Sequence, residues 1–168
     1  GARRIGKSTL VEQFAKKEYK SYILIDFANI KPQVSNLIAN GFADLDDFFT
    51  RLQFLSGVQL YERQSLIIFD EVQLQPLARQ AIKYLVKDGR YDYVETGSLI
   101  SIRQNVQNIV IPSEEERIQM FPMDYEEFCW ALGDTSTFPL LERAFARRKS
   151  LGDDVNRYLV RKFRLYML

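Results

Sequence analysis

Gly1-Ala2-Arg3-Arg4-Ile5-Gly6-Lys7-Ser8-Thr9-Leu10 opens the chain and matches the phosphate-binding pattern G-x-x-x-x-G-K-[ST] at every constrained position. Gly1 and Gly6 carry no Cβ, so the backbone can turn tightly and direct its N–H groups at one anion. Lys7 brings a compact positive charge to where terminal phosphates would lie, and the Ser8 hydroxyl is a hard oxygen donor suited to Mg²⁺. Leu10, Val11 and Phe14 then follow at helical spacing. The helix they predict would add the positive end of its dipole to the anion site.

Ser65-Leu66-Ile67-Ile68-Phe69-Asp70-Glu71 is the second informative stretch. An apolar run of this length reads as a buried strand, and its two terminal carboxylates would emerge at the strand's C-terminal edge, where open α/β sheets bind ligands. Downstream of a phosphate-binding loop this is the Walker B pattern. Asp70 is expected to hold the Mg²⁺ shell together with Ser8, and Glu71 to orient and deprotonate an attacking water.

The composition bounds the answer. The chain has 168 residues, 46% hydrophobic and 27% charged, which is an ordinary globular balance with enough residues for a core. A formal net charge of +1 gives no global attraction to nucleic acid or membrane. One cysteine, Cys129, excludes an internal disulfide and fits a reducing, cytoplasmic compartment. With no histidine, a zinc site has too few ligands. No apolar run reaches the roughly 20 residues needed to cross a bilayer.

Between and beyond the two motifs the chain reads as alternating elements. Tyr19–Phe27 is expected as a strand, Asn29–Gly41 as a helix, and Leu45–Leu55 as a second helix with Asp44, Asp46 and Asp47 around its first turn. Those acids suit the helix dipole better than a metal cluster. Val72–Lys87 is expected to continue as one helix ended by Asp88-Gly89, and Tyr91–Ser98 as the next parallel strand. Thr96 and Ser98 at its tip are either phosphate- or water-directed hydroxyls or a helix cap. Gln107–Pro112 and Arg117–Phe121 read as short β pieces, the second supplying the last strand. Asp124 with Glu127 fits a capping box for a helix over Tyr125–Leu132, and Phe138–Arg148 and Val155–Leu168 look helical. Eight Lys/Arg residues lie between Arg143 and Arg164 against Asp153 and Asp154. They form either a solvated or packed helix face or a contact for nucleic acid or a neighbouring subunit.

With both motifs placed, the chain resembles prokaryotic AAA+-type P-loop ATPases, in particular the bacterial and archaeal group whose ATPase core precedes a C-terminal domain of unknown function. The resemblance is carried by Gly1–Ser8 with arginine inside the loop, by Asp70-Glu71-Val72-Gln73, by Thr96-Gly97-Ser98, and by Arg117 followed by Phe121-Pro122-Met123-Asp124-Tyr125-Glu126-Glu127-Phe128. Met123 and Asp124 depart from the group's usual Leu-Ser, and Ser98 stands where a sensor Asn is common. The resemblance implies a three-layer α/β/α core with a parallel sheet over residues 1–123, followed by a truncated helical, lid-like region over 124–168. It also implies a sensor strand between the Walker A and Walker B strands. Such a core normally has a strand leading into Gly1, so the chain is read as an internal fragment, expected by itself to bind ATP poorly and turn it over weakly.

By that likeness Gly1, Ala2, Arg3, Arg4, Ile5, Gly6, Lys7, Ser8 and Thr9 would bind ATP, Ser8 and Asp70 would hold Mg²⁺, and Glu71, Lys7, Ser98 and Arg117 would serve hydrolysis. Arg117 would act as an arginine finger across an interface with a second copy or a protein partner. Two rivals stay open: a P-loop kinase, and a nucleotide-dependent switch or scaffold with little turnover, acting with or without nucleic acid.

Overall fold

The structure is a computed structural model that describes residues 5–97 and 115–167. It divides into two compact units, Gly1–Phe121 and Pro122–Leu168.

The first unit is built on three parallel strands, β1 (Ser21–Asp26), β2 (Ser65–Asp70) and β3 (Asp92–Glu95), in the order β1-β2-β3. All six residues of β2 are buried. Its Ser-Leu-Ile-Ile-Phe-Asp run has no alternating polar face because helices cover both sides of the sheet. Ile67 and Phe69 enter a large core with Ile23, Ile25 and side chains of α2 (Pro32–Asn40), α3 (Leu45–Ser56) and α4 (Pro76–Asp88). Leu66 and Ile68 face the opposite way, onto Ala15 of α1 (Lys7–Glu18). The result is the α/β P-loop architecture in three layers. Each such Leu, Ile or Phe withdrawn from water contributes roughly 1.5–3 kcal/mol.

Local chemistry explains the element ends. Asp44 caps α3, accepting from the Asp46 and Asp47 N–H groups at 3.0 and 3.1 Å. The acidic first turn is therefore a helix start. Tyr19, just past α1, donates to Asp92 at 2.8 Å and so ties that helix to β3. Burial, then the Asp92 carboxylate, pushes its phenol up to about 12.

Two expectations are corrected. Val72–Lys87 is not one helix: Val72–Leu74 forms a 3-10 turn, and α4 begins only at Pro76. Proline has no N–H to donate and disfavours helical geometry in the residue before it, here Gln75 at φ −134°, ψ 82°. Arg117–Phe121 is not a strand. Its apolar residues find no second layer, and Ile118 is 88% exposed. Gln107–Pro112 lies outside the described residues. Of the expected strand order, the placement of β3 beside β2 is seen.

The second unit contains α5 (Tyr125–Ala131), α6 (Thr137–Ala146) and α7 (Asp153–Tyr166). Asp124 and Glu127 form the capping box at the start of α5. Tyr125 packs its ring against Phe128, Phe138, Phe163 and Tyr166. Asp134 accepts from the Ser136 and Thr137 N–H groups at 3.0 and 2.9 Å, and from the Thr137 hydroxyl and the Lys162 ammonium. Lys162, foremost, holds the Asp134 carboxyl well below the usual range, and the pairing raises Lys162. Lys162 thus leaves the basic set; Arg157, Arg161 and Arg164 remain exposed on α7.

This pair has a pH signature. A depressed carboxyl stabilises the folded state fully above its unfolded pKa of about 3.9 and loses that contribution as pH falls towards its native value. Trp130, the single tryptophan, lies in α5 and reports this unit. Its fluorescence-detected urea midpoint should fall between pH 5 and 2 more steeply in the wild type than in Asp134→Asn.

Candidate functional site

The C-terminal ends of β2 and β3 and the start of α1 converge on one carboxylate. Gly6 adopts φ 83°, a left-handed conformation that glycine accepts without strain, and its carbonyl accepts from Leu10 N–H at 2.9 Å. The helix therefore begins at Lys7, and Ser8 falls in its first turn. Ser8 Oγ donates to Asp70 Oδ1 at 2.8 Å. Residues far apart in sequence, one from each motif, are thereby joined.

Thr96 completes the junction from β3. Its hydroxyl donates to the same Asp70 Oδ1 and accepts from the Glu71 N–H at 3.4 Å. Its main chain is equally committed: Thr96 N–H donates to Phe69 O at 2.9 Å, and Val72 N–H donates to Thr96 O at 3.0 Å. Asp70 and Thr96 are both buried, so the carboxylate's direction is set by hydrogen bonds in a low-dielectric setting, where they count for more. Asp26, beside Asp70 in the β1–β2 register, is used differently. It closes the turn after β1 by accepting from Ala28 N–H at 2.8 Å and Asn29 Nδ2 at 2.7 Å.

Glu71 leaves the strand at φ 55°, ψ 44°. A non-glycine residue in the left-handed region costs free energy and is held there by its surroundings. Its Oε2 accepts from Gln73 Nε2 within the 3-10 turn. Gln73 is 4% exposed, and its Oε1 is buried without a partner among the described residues. Nearby Arg79, also 4% exposed, pairs with Glu95 at the end of β3 and with Glu115 at 2.6 Å. Glu115 in turn accepts from Arg117 Nε at 3.0 Å.

The structure thus brings together Ser8, Asp70 and Glu71, with Lys7 half-buried beside Ser8 at the head of α1. Ile5, Gly6 and Thr9 flank them; Gly1, Ala2, Arg3, Arg4 and Ser98 lie outside the described residues. Arg117 sits in the Arg79–Glu115 ion-pair chain. The Thr96 hydroxyl donates to Asp70 and so aims that carboxylate. Sequence reading missed Gln73 and Arg79 as site residues. Only their burial marks them, and burial is not written in a local pattern.

A groove of about 710 Å³ runs along the outer edge of β1, lined among others by Lys20, Tyr22, Leu24, Ile30 and Val34; none of the motif residues lines it. Among the described residues, no helix is long and apolar enough to cross a membrane, and no group of three or more His, Cys, Asp or Glu is placed to hold a metal ion. Ser8 and Asp70 do fit Mg²⁺ as a partial set. Both are hard oxygen donors, one neutral and one anionic, and their 2.8 Å separation is close to the edge of a magnesium octahedron, about 3 Å. Mg²⁺ ordinarily completes its shell with water and substrate phosphate.

In comparison with known proteins, a family model described as "AAA domain" matches residues 1–129. No curated protein and no solved structure matches the chain.

If Thr96 holds Asp70 as described, Thr96→Val should lower stability by about 1.5–3 kcal/mol, the range for a buried hydrogen bond to a charged group. Thr96→Ser should recover most of the loss. Urea titration would check both, with the midpoint moving and the slope unchanged.

Proposed function

The chain belongs to the AAA domain family, and from that premise we propose that its Ser8–Asp70 junction binds Mg²⁺ with ATP and that the full-length protein hydrolyses it. The family supports nucleotide binding of the ATPase type. The 2.8 Å hydrogen bond from Ser8 to Asp70 carries the finer reading, because it joins the phosphate loop to the acid-ended strand.

In this reading Ser8 Oγ and Asp70 would hold the ion. Mg²⁺, when bound, neutralises charge on the phosphate oxygens. Lys7 adds its ammonium at the α1 N-terminus, where the helix dipole also favours anions. Glu71 accepts the proton of a water molecule as the water oxygen bonds to the terminal phosphorus. The bond from that phosphorus to the bridging oxygen breaks, and ADP and inorganic phosphate are left. Thr96 keeps Asp70 aimed throughout and exchanges no proton with substrate. Arg117, 60% exposed beside Glu115, would act as an arginine finger across an interface with a second copy or a protein partner.

A second reading, a nucleotide-dependent switch with little turnover, is favoured by one observation: the Glu71 carboxylate is already engaged by Gln73. A P-loop kinase is less well supported, since an acid beside the metal-binding aspartate serves water rather than an acceptor hydroxyl.

Steady-state ATP turnover by the full-length protein separates these readings. Glu71→Gln should lower kcat by about a hundredfold or more while ATP affinity is kept. Ser8→Ala should weaken ATP binding in magnesium and leave metal-free binding nearly unchanged. Undiminished hydrolysis by Glu71→Gln would remove Glu71 from the mechanism, and tight ATP binding without phosphate release in the wild type would favour the switch.

A further inference from the structure

Gln73 is the residue whose placement the fold itself does not explain. Its side chain is buried in the turn that follows β2, yet only one end of its amide is used. Nε2 donates to Glu71 Oε2, and Oε1 is buried with no partner among the described residues. A buried acceptor without a donor costs free energy, and an apolar side chain of the same size is generally at least as good for folding. Among the described residues, the return on this unfavourable burial is a hydrogen bond to the carboxylate beside Asp70.

The turn is anchored to the same strand end as the rest of the site. Val72 N–H donates to Thr96 O, while Leu74 N–H and Gln75 N–H donate to Glu71 O and Val72 O, each at 3.0 Å. Gln73 is therefore fixed relative to Thr96 and Asp70, and its amide presents a donor in one direction. The left-handed backbone at Glu71 turns that residue's side chain within reach of it.

We propose that Gln73 is a positioning residue for Glu71. The amide occupies Oε2 and fixes the carboxylate plane, so that Oε1 is the oxygen left to take a proton from water. Gln73 keeps its own protons and touches neither nucleotide nor water. This inference rests on the reading of Glu71 as the base, and it adds the element that aims it.

The test is a double-mutant cycle on ATP hydrolysis by the full-length protein, with ATP and Mg²⁺ as the probe. Gln73→Leu should lower kcat roughly tenfold to a hundredfold, the scale of misplacing a reacting group by about an ångström. Its affinity for magnesium–ATP should be unchanged and its thermal midpoint equal or higher. Combined with Glu71→Gln, it should add no further loss, because both changes remove one function. Should Gln73→Leu lower the thermal midpoint, Gln73→Met, unbranched and adaptable, is read in its place. A wild-type kcat in the Gln73 variant, a loss that multiplies with that of Glu71→Gln, or a fall in rate matched by a fall in ATP affinity would each overturn the proposal. Those outcomes leave Glu71 as the base. Glu71→Gln turning over at the wild-type rate would instead remove the reading on which the proposal stands.

Discussion

One carboxylate, that of Asp70, ties the first unit together at its working end. It lies at the tip of a strand whose every residue is buried, and it receives hydroxyl hydrogen bonds from α1 through Ser8 and from β3 through Thr96. Helix α1 and strands β2 and β3, which also share the small apolar cluster of Ala15, Leu66, Ile68 and Val94, are pinned there at one oxygen. The hydrophobic core makes the pin possible. Leu66 and Ile68 on one face and Ile67 and Phe69 on the other bury β2 from both sides and hold its acid-bearing tip in place.

Around that point the site is arranged by polar groups that are themselves buried. Thr96 aims Asp70, Gln73 engages Glu71, and Arg79 gathers Glu95 and Glu115. Arg79 is particularly constraining. Burying a guanidinium is tolerable only with close carboxylates, and here two of them, from β3 and from the segment after it, converge on one cation. The start of the 115–121 segment is thereby fastened to the core by charge, and its exposed Ile118 contributes little.

The fold was largely legible in the sequence because its signals are local. The phosphate-loop spacing placed Ser8 at the head of a helix, the apolar run placed Asp70 at a strand end, and Asp44 and Asp124 announced helix starts by side-chain chemistry that acts within three residues. Two local signals were misjudged. Pro76 marks the break after β2, and Arg117–Phe121 has β-like residues but nothing to bury them against. The second layer of the site was illegible for a different reason. Arg79 meets Glu115 across 36 positions, and Thr96 meets Asp70 across 26; such pairs leave no periodicity to read. Lys162 shows the converse, a residue that reads as part of a basic face and is drawn out of it by Asp134.

The helical unit owes its cohesion to rings and caps more than to a core. None of the 14 residues of α7 is buried, although Phe163 and Tyr166 lie against Tyr125. In native-state hydrogen exchange the amides of such a helix open by fraying, at little free-energy cost, while those of β2 wait for the whole unit to unfold. The molecule would therefore lose protection in order, its last helix long before its acid-bearing strand. A protease present during that interval would trim the C-terminal side and leave the parallel sheet intact.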